Sequence, residues 1–215
     1  MKFVWYGLTL QVPDSVYYPD EDSILLAEAV LETVNKGDEF LEMGCGAGLS
    51  SVIAAEKGAR VTAADINEEA VVAAKSNAAA NDVSVKAAVS DLFSSINGEF
   101  DLIAFNPPYL PSDDTDMHLG KSKIQLIGGP TGREAIERFL KEAKAHLNKG
   151  GRILLIISSL SGEHEVIAMC ERCGYIPSVI KKKKIEWEEL IVLELRAEIA
   201  KSRRVEIDPS FGVHV

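Results

Sequence analysis

The sequence predicts an α/β fold whose mostly parallel sheet is covered by helices on both faces. From Glu39 onward, short apolar segments alternate with segments of helical periodicity, which is the pattern of a parallel sheet with crossover helices. The last two strands are separated by only a short turn, so they must form an antiparallel hairpin. With 215 residues, of which 47% are hydrophobic, the chain can bury a large core within a single domain.

The individual elements follow from periodicity and from turn residues. A short β extension at 3–12 precedes a turn-rich stretch and a first helix, which Asp22 or Ser23 is expected to cap. The predicted helices are 23–34, 49–57, 68–80, 133–147 and 163–172. The predicted strands of a seven-stranded sheet are 39–43, 60–65, 83–89, 100–105, 151–158, 175–186 and 188–196. We expect one domain over residues 1–200 and a tail at 201–215.

The charge of the chain argues against one class of partner. A net charge of −10 disfavours direct binding of duplex nucleic acid, which requires a basic face. The run Lys181–Lys184 lies on a predicted strand, where successive side chains point to opposite faces, so it cannot form one basic stripe. We interpret it as an exposed stretch that discourages pairing at a sheet edge.

The sequence predicts neither a metal site nor a membrane segment. Cys170 and Cys173 have CxxC spacing, but a four-ligand zinc site needs a second such pair, which the chain lacks. There is also no apolar run long enough to cross a membrane. We therefore expect a cytoplasmic protein with no bound metal.

A glycine-rich turn between the first strand of the sheet and the next helix predicts a cofactor site. The segment LEMGCGAG contains Gly44, Gly46 and Gly48, which let the backbone turn tightly and approach a ligand. Asp65 ends the second strand, 21 residues after Gly44, where its carboxylate can accept the two hydroxyl groups of a ribose.

Residues around this turn narrow the choice of cofactor. Ile66, Asp91 and Leu92 provide polar and apolar groups for an adenine, and Cys45 lies between two of the glycines. Glu42 is a poor neighbour for a pyrophosphate but a good one for a cationic amino group. Together these features describe S-adenosylmethionine, with its methionine end near Glu42.

The segment FNPPYLP, which follows a buried strand, predicts a substrate site. Asn106 emerges at the carboxyl end of the strand, where ligands bind in parallel sheets, and the following proline holds it extended. The side-chain oxygen of Asn106 and the carbonyl of Pro107 are two acceptors suited to the two hydrogens of a planar amino group, and Tyr109 can stack on that group. Such an arrangement orients a weakly nucleophilic amide or aromatic amine towards a methyl sulfonium.

These motifs resemble those of a known family. Asn106-Pro107-Pro108-Tyr109 behind a G-x-G-x-G loop is similar to the amino methyltransferases, and YYPDEDS and GGPTG resemble the HemK-type protein glutamine methyltransferases. The resemblance implies a Rossmann-like class I methyltransferase that modifies the GGQ glutamine of a class-1 peptide release factor. It further implies that the substrate-binding residues include Tyr18, Pro19, Asp22, Asn106, Pro107, Pro108, Tyr109 and Gly129.

The resemblance also implies a protein partner. Only 16 residues precede Tyr17, as in the short archaeal and eukaryotic members, which work with a small zinc-binding activator protein. In the sheet order of this family, Val83–Val89 is an edge strand, so we expect the activator to add a strand there. The alternate residues Val83, Val85, Ala87 and Val89 are expected to face the core.

Two alternatives remain open at the level of sequence. An adenine methyltransferase acting on RNA or DNA would use the same NPPY chemistry on a flipped base, although the charge of −10 argues against it. A scaffold protein that binds the cofactor without catalysis has no need for Asn106.

Overall fold

The structure of the protein, a computed structural model, describes residues 1–112 and 126–198. It begins with a hairpin of β1 (Lys2–Trp5) and β2 (Leu8–Gln11). The strands of the main sheet are β3 (Glu39–Met43), β4 (Arg60–Asp65), β5 (Val85–Val89), β6 (Phe100–Phe105), β7 (Leu147–Ser158), β8 (Tyr175–Lys184) and β9 (Glu189–Ala197). The helices are α1 (Glu21–Thr33), α2 (Leu49–Glu56), α3 (Glu68–Ala80), α4 (Glu134–Ala143) and α5 (Glu163–Arg172). The predicted tail at 201–215 lies outside the described residues.

The main sheet has seven strands in the order β5-β4-β3-β6-β7-β9-β8, which confirms the predicted fold class. Strands β5, β4, β3, β6 and β7 are parallel, and β9 pairs antiparallel with both β7 and β8. The parallel order reverses between β3 and β6, so the carboxyl ends of these two strands flank the crevice in which ligands bind.

The boundaries of some elements differ from the prediction. Helix α1 begins at Glu21 because the side chain of Asp20 caps it, so neither Asp22 nor Ser23 is the capping residue. Strand β7 begins at Leu147, inside the segment predicted as the end of a helix, because α4 ends at Ala143 and a short 3₁₀ turn follows. Strand β5 begins at Val85, two residues later than predicted.

The N-terminal hairpin is fixed to the main domain by two asparagines of α3. The buried side chain of Asn77 exchanges hydrogen bonds with the backbone of Gln11 and donates to the carbonyl of Ala47 (2.9 Å). Asn81 pairs in the same way with the backbone of Thr9. These hydrogen bonds satisfy backbone groups of β2, the strand that contains Thr9 and Gln11. The hairpin therefore packs against α3 as part of the domain.

The lysine run lies on β8, which forms one edge of the sheet, as expected of a charged strand that discourages pairing. Lys181 pairs with Glu32 (2.7 Å), Lys182 pairs with Glu163 (2.9 Å), and Lys183 pairs with Glu21. Because these lysines face different acidic partners, the run does not form a basic stripe.

Within residues 1–112 and 126–198, no helix is both long enough and apolar enough to cross a membrane. In the same part of the chain, no cluster of His, Cys, Asp and Glu is arranged to hold a metal ion. Cys170 is buried, and burial raises the pKa of its thiol to about 12.

Candidate active site

A cavity of about 430 Å³ opens at the carboxyl ends of β3, β4 and β6. The glycine-rich loop after β3 forms one side, and the turn after β6 forms another. Most of the predicted site residues line it: Pro19, Glu42, Gly44, Cys45, Gly46, Asp65, Ile66, Asp91, Leu92, Asn106, Pro107 and Pro108. The cofactor motif and the NPPY motif, which are far apart in sequence, therefore share one cavity.

The glycine-rich loop adopts a backbone conformation that favours glycine. Gly44, Gly46 and Gly48 have φ values of 63°, 50° and 83°, in the left-handed region. Gly48 is not part of the cavity wall, in contrast to its predicted cofactor-binding role. A Cβ atom there would lie 2.9 Å from the Cα atom of Ala74, so glycine allows α2 to begin close against α3.

Asp65 is held in place by the loop that it faces. One carboxylate oxygen accepts a hydrogen bond from the Gly46 amide, and the other accepts one from the Asn67 amide, both at 2.9 Å. Burial raises the pKa of this carboxyl, and the backbone donors partly offset the effect. Each oxygen can accept a further hydrogen bond, so the predicted contact with two ribose hydroxyls fits this geometry.

Glu42 has a second role that the sequence did not indicate. Its buried carboxylate accepts hydrogen bonds from the amides of Ser50 (3.3 Å) and Ser51 (2.8 Å) at the N-terminus of α2. The Ser51 hydroxyl donates to the same carboxylate. Burial raises the pKa of Glu42 to about 7 in spite of these donors. Glu42 therefore anchors the start of α2 while it lines the cavity.

The part of the cavity where adenine is expected to bind contains an arginine that the sequence analysis did not identify. Arg138, on α4, lines the cavity and forms an ion pair with Asp91 (2.9 Å). Leu92 is buried with φ at 47°, and Ile66 is 71% exposed. A large exposed apolar side chain beside a cavity is suited to contact the flat face of a base.

The substrate end is organised around Asp22, which is 2% exposed. One carboxylate oxygen accepts hydrogen bonds from the Asn106 side-chain nitrogen (2.9 Å) and from the Tyr109 hydroxyl (3.1 Å). The other accepts from the Tyr17 hydroxyl (3.2 Å) and from the Ser23 amide (2.6 Å). Each carboxylate oxygen of Asp22 therefore already accepts hydrogen bonds from two neighbouring groups.

This arrangement determines which way the Asn106 amide points. A carboxylate can only accept hydrogen bonds, so the amino group of Asn106 must face Asp22. The buried oxygen Oδ1 of Asn106 is then left without a hydrogen-bond partner among the described residues. A buried acceptor without a partner is costly, so a hydrogen-bond donor from a ligand in this cavity would be favoured at this oxygen.

The tyrosines near the site differ from their predicted roles. The ring of Tyr109 is buried and is not part of the cavity wall, which does not match the predicted stacking on the substrate. Tyr18 packs against Phe3 and donates to the carbonyl of Lys2, away from the cavity. Tyr17, which was not predicted, both lines the cavity and donates to Asp22. Burial and Asp22 raise the pKa of Tyr17 and of Tyr109, so both stay protonated as donors.

The GGPTG segment packs against the NPPY turn. A Cβ atom on Gly128 would lie 2.1 Å from the carbonyl oxygen of Pro108, and one on Gly132 would lie 2.2 Å from that of Tyr109. Gly129 is not part of the cavity wall, and its carbonyl accepts from the amide of Ser112 (2.9 Å). The segment therefore supports the turn from behind and does not contact the cavity through Gly129.

The fold and the site together define an S-adenosylmethionine-dependent class I methyltransferase. The sequence model of the methyltransferase small domain family matches residues 15–126. A Methanocaldococcus jannaschii protein that bears the name protein N5-glutamine methyltransferase is 40% identical over 188 residues, which cover 87% of this chain and 94% of that protein. The chain therefore belongs to the methyltransferase small domain family and, within it, to the protein N5-glutamine methyltransferases.

Two other similarities bear on the substrate. A chain in the structure of the E. cuniculi Mtq2–Trm112 complex, which is responsible for methylation of the eRF1 translation termination factor, matches with a TM-score of 0.69 and 26% identity. The match covers 86% of this chain and 99% of that one. The ribosomal RNA small subunit methyltransferase C of Salmonella choleraesuis is 30% identical over 193 residues, which cover 82% of this chain and 51% of that protein.

Proposed function

We propose that the protein transfers a methyl group from S-adenosylmethionine to the side-chain amide nitrogen of a glutamine in a class-1 peptide release factor, within its GGQ motif. The observation that carries the proposal is the buried oxygen Oδ1 of Asn106, which has no hydrogen-bond partner among the described residues. A primary amide nitrogen offers two donors, and Asn106 Oδ1 provides an acceptor for one of them.

The NPPY turn provides the acceptors that orient the substrate nitrogen. In this mechanism Asn106 Oδ1 accepts one N–H of the glutamine amide, and the carbonyl of Pro107, a residue of the cavity wall, accepts the other. Both bonds hold the nitrogen in line with the donor methyl group, which lowers the entropic part of the barrier. The acceptors also favour the growing positive charge on the nitrogen as the new bond forms.

The opposite end of the cavity fits the cofactor. The glycine-rich loop gives close backbone access, Asp65 offers acceptors for ribose hydroxyls, and Ile66 and Leu92 provide apolar contacts for adenine. When bound, S-adenosylmethionine supplies an electrophilic methyl group on a sulfonium. The protein's part is to bind it beside Asn106 and to exclude water from the reacting atoms.

The similarity to the Mtq2 complex supports a release factor as the acceptor, and the similarity to a ribosomal RNA methyltransferase makes a nucleobase the second candidate. An exocyclic amine of a base also presents two donors to Asn106. Three of the four lysines in the run, Lys181, Lys182 and Lys183, are paired with acidic residues, which favours the protein substrate.

One experiment separates the two candidates. The purified protein is incubated with S-adenosylmethionine labelled in the methyl group and with release factor, ribosomal RNA or transfer RNA. Label in the release factor alone, lost when its GGQ glutamine is replaced by alanine, is the expected result. Label in either RNA, with none in the release factor, would establish the nucleobase reaction instead.

We further propose that a small zinc-binding activator protein adds a strand beside β5, over the stretch Val83–Val89. Strand β5 is at the edge of the sheet, and β4 is its neighbour on the other side. Val85 is buried as expected, but Val89 is 47% exposed, so the expectation that it faces the core is wrong. The exposed Val89 ends β5 opposite Asp65 and gives this edge an apolar side chain for a partner.

The backbone directions of β5 identify the variant that tests this partner. The amide of Ser90 donates to the carbonyl of Asp65 (2.8 Å), so the backbone groups of Lys86 and Ala88 also face β4. The groups of Val85, Ala87 and Val89 then point to the free edge. Ala87→Pro should therefore abolish binding of the activator and leave the affinity for S-adenosylmethionine unchanged, while Ala87→Val keeps the N–H and should bind. Equal binding of both variants would reject strand addition at this edge.

A further inference from the structure

Two large apolar side chains are exposed close to the substrate end of the cavity. Trp187, in the turn between β8 and β9, is 83% exposed, and Leu160, in the 3₁₀ turn after β7, is 50% exposed. Neither side chain is needed for the core. The mechanism described above uses neither of them.

The sheet register locates both residues at the same edge as Asn106. Strand β7 runs parallel to β6, with Leu155 opposite Phe105, so the end of β7 projects past the NPPY turn. Strand β9 pairs Leu190 with Ser158, so the turn at 185–188 lies beyond the carboxyl end of β7. The Glu189 amide donates to the Ser159 hydroxyl (3.0 Å), which joins this turn to the one that carries Leu160.

Two contacts connect the same turn to the substrate site. Glu188, next to Trp187, accepts a hydrogen bond from the hydroxyl of Ser158. Lys183, near the end of β8, pairs with Glu21, the residue directly before Asp22, so this end of the β8–β9 hairpin lies against the start of α1. The turn is thus adjacent to the hydrogen-bond network that holds Asn106.

The surroundings of these two apolar residues are acidic. Glu186 and Asp20 are exposed, and the chain has a net charge of −10. Two of the three nearest lysines are neutralised, because Lys182 pairs with Glu163 and Lys183 pairs with Glu21, whereas Lys184 is exposed. A surface of this kind is complementary to a basic partner that also offers an apolar group.

We propose that Leu160, Glu186 and Trp187 form a docking surface, here named the acceptor rim, for the protein substrate. The rim would bind a basic segment of the acceptor protein next to the target glutamine while that glutamine enters the cavity. The inference rests on the proposed function for the identity of the acceptor protein, and the exposed carboxylates of Glu186 and Asp20 are what call for a basic segment on it. Exposed tryptophans are frequent centres of binding energy in such interfaces.

Steady-state kinetics with intact release factor tests the acceptor rim. Trp187→Ala should raise KM for the release factor by about tenfold, with kcat and the affinity for S-adenosylmethionine unchanged. Tyr6→Ala is the matched control, because Tyr6 is also 83% exposed but lies in the turn of the N-terminal hairpin, near the C-terminal end of α3. It should behave as the unmodified protein.

A charge reversal tests the electrostatic part of the proposal. Glu186→Lys should raise KM for the release factor several-fold, whereas Glu56→Lys, an exposed residue at the end of α2, should leave it unchanged. If Trp187→Ala and Glu186→Lys both keep the original KM, the acceptor rim is wrong and the proposed function stands. If the unmodified protein does not methylate the release factor at all, the proposed function itself fails.

Discussion

The carboxylate of Asp22 accepts a hydrogen bond from the side-chain nitrogen of Asn106 at 2.9 Å, although the two residues are 84 positions apart in the sequence. Asp22 belongs to the first turn of α1, and Asn106 follows β6. The contact fixes the orientation of the Asn106 amide and leaves its oxygen Oδ1 without a partner among the described residues, as the proposed mechanism requires of the substrate acceptor. In the proposed mechanism Asp22 is therefore a positioning residue that acts through Asn106.

Replacing Asp22 by asparagine tests this positioning role. An asparagine at 22 can donate as well as accept, so the Asn106 amide would no longer be held in one orientation. We expect kcat to fall by about a hundredfold while the affinity for S-adenosylmethionine stays unchanged. Single-turnover kinetics and calorimetry measure the two quantities. Parallel losses of kcat and of cofactor affinity, with a lower melting temperature, would show that Asp22 is only structural.

Replacing Asp65 by alanine tests the cofactor end. The change removes acceptors for the ribose and also the partner of the Gly46 amide, so we expect a loss of about 2–4 kcal/mol in the binding of S-adenosylmethionine. Calorimetry measures it directly. Glu56→Ala, which removes an exposed carboxylate from α2, is the control. Unchanged binding by Asp65→Ala would remove this residue from the cofactor site.

The sequence predicted the sheet and the cavity better than the hydrogen bonds inside the cavity. Strands β3, β4 and β6 and helix α3 have the predicted boundaries, because strong periodicity and glycine-rich turns mark them. Residues at the ends of parallel strands must meet at one edge, so the shared cavity was predictable as well.

The sequence could not predict which of two neighbouring residues points its side chain into the cavity. Tyr17 and Tyr18 lie in a turn-rich stretch without periodicity, so the sequence does not show which of them faces the cavity. Glu42 bonds to the start of α2, and Arg138 on α4 pairs with Asp91. Both contacts join elements that are separate in the sequence. Such contacts are set by tertiary packing, which leaves no local pattern in the sequence.

The stability of the protein should depend on pH through Glu42. Its pKa is raised from an ordinary value of 4.5 to about 7 by burial, so the folded state binds more protons than the unfolded state between these values. Stability is therefore fully present below about 4.5 and decreases as pH rises towards 7, by about 3 kcal/mol in all. Urea unfolding at several pH values measures this loss. Glu42→Gln should remove most of the slope, and an unchanged slope would assign it to other groups.

Gly128→Ala should damage the substrate site from behind. The added Cβ atom would lie 2.1 Å from the Pro108 carbonyl oxygen, so the packing of the GGPTG segment against the NPPY turn must change. We expect kcat to fall by about tenfold or more, with cofactor affinity retained. Gly150→Ala, where nothing lies within 4 Å of the new atom, is the control and should cost only about 1–2 kcal/mol of stability through its positive φ. Normal transfer by Gly128→Ala would show that the turn tolerates movement.

The most direct test of the account is tandem mass spectrometry of release factor after incubation with S-adenosylmethionine and either the unmodified protein or Asn106→Ala. The unmodified protein should place one methyl group on the side-chain amide nitrogen of the GGQ glutamine. Asn106→Ala should bind S-adenosylmethionine normally, because the lost oxygen acts on the substrate, and should leave that glutamine unmodified. A methyl group on another residue, or full methylation by Asn106→Ala, would contradict the account.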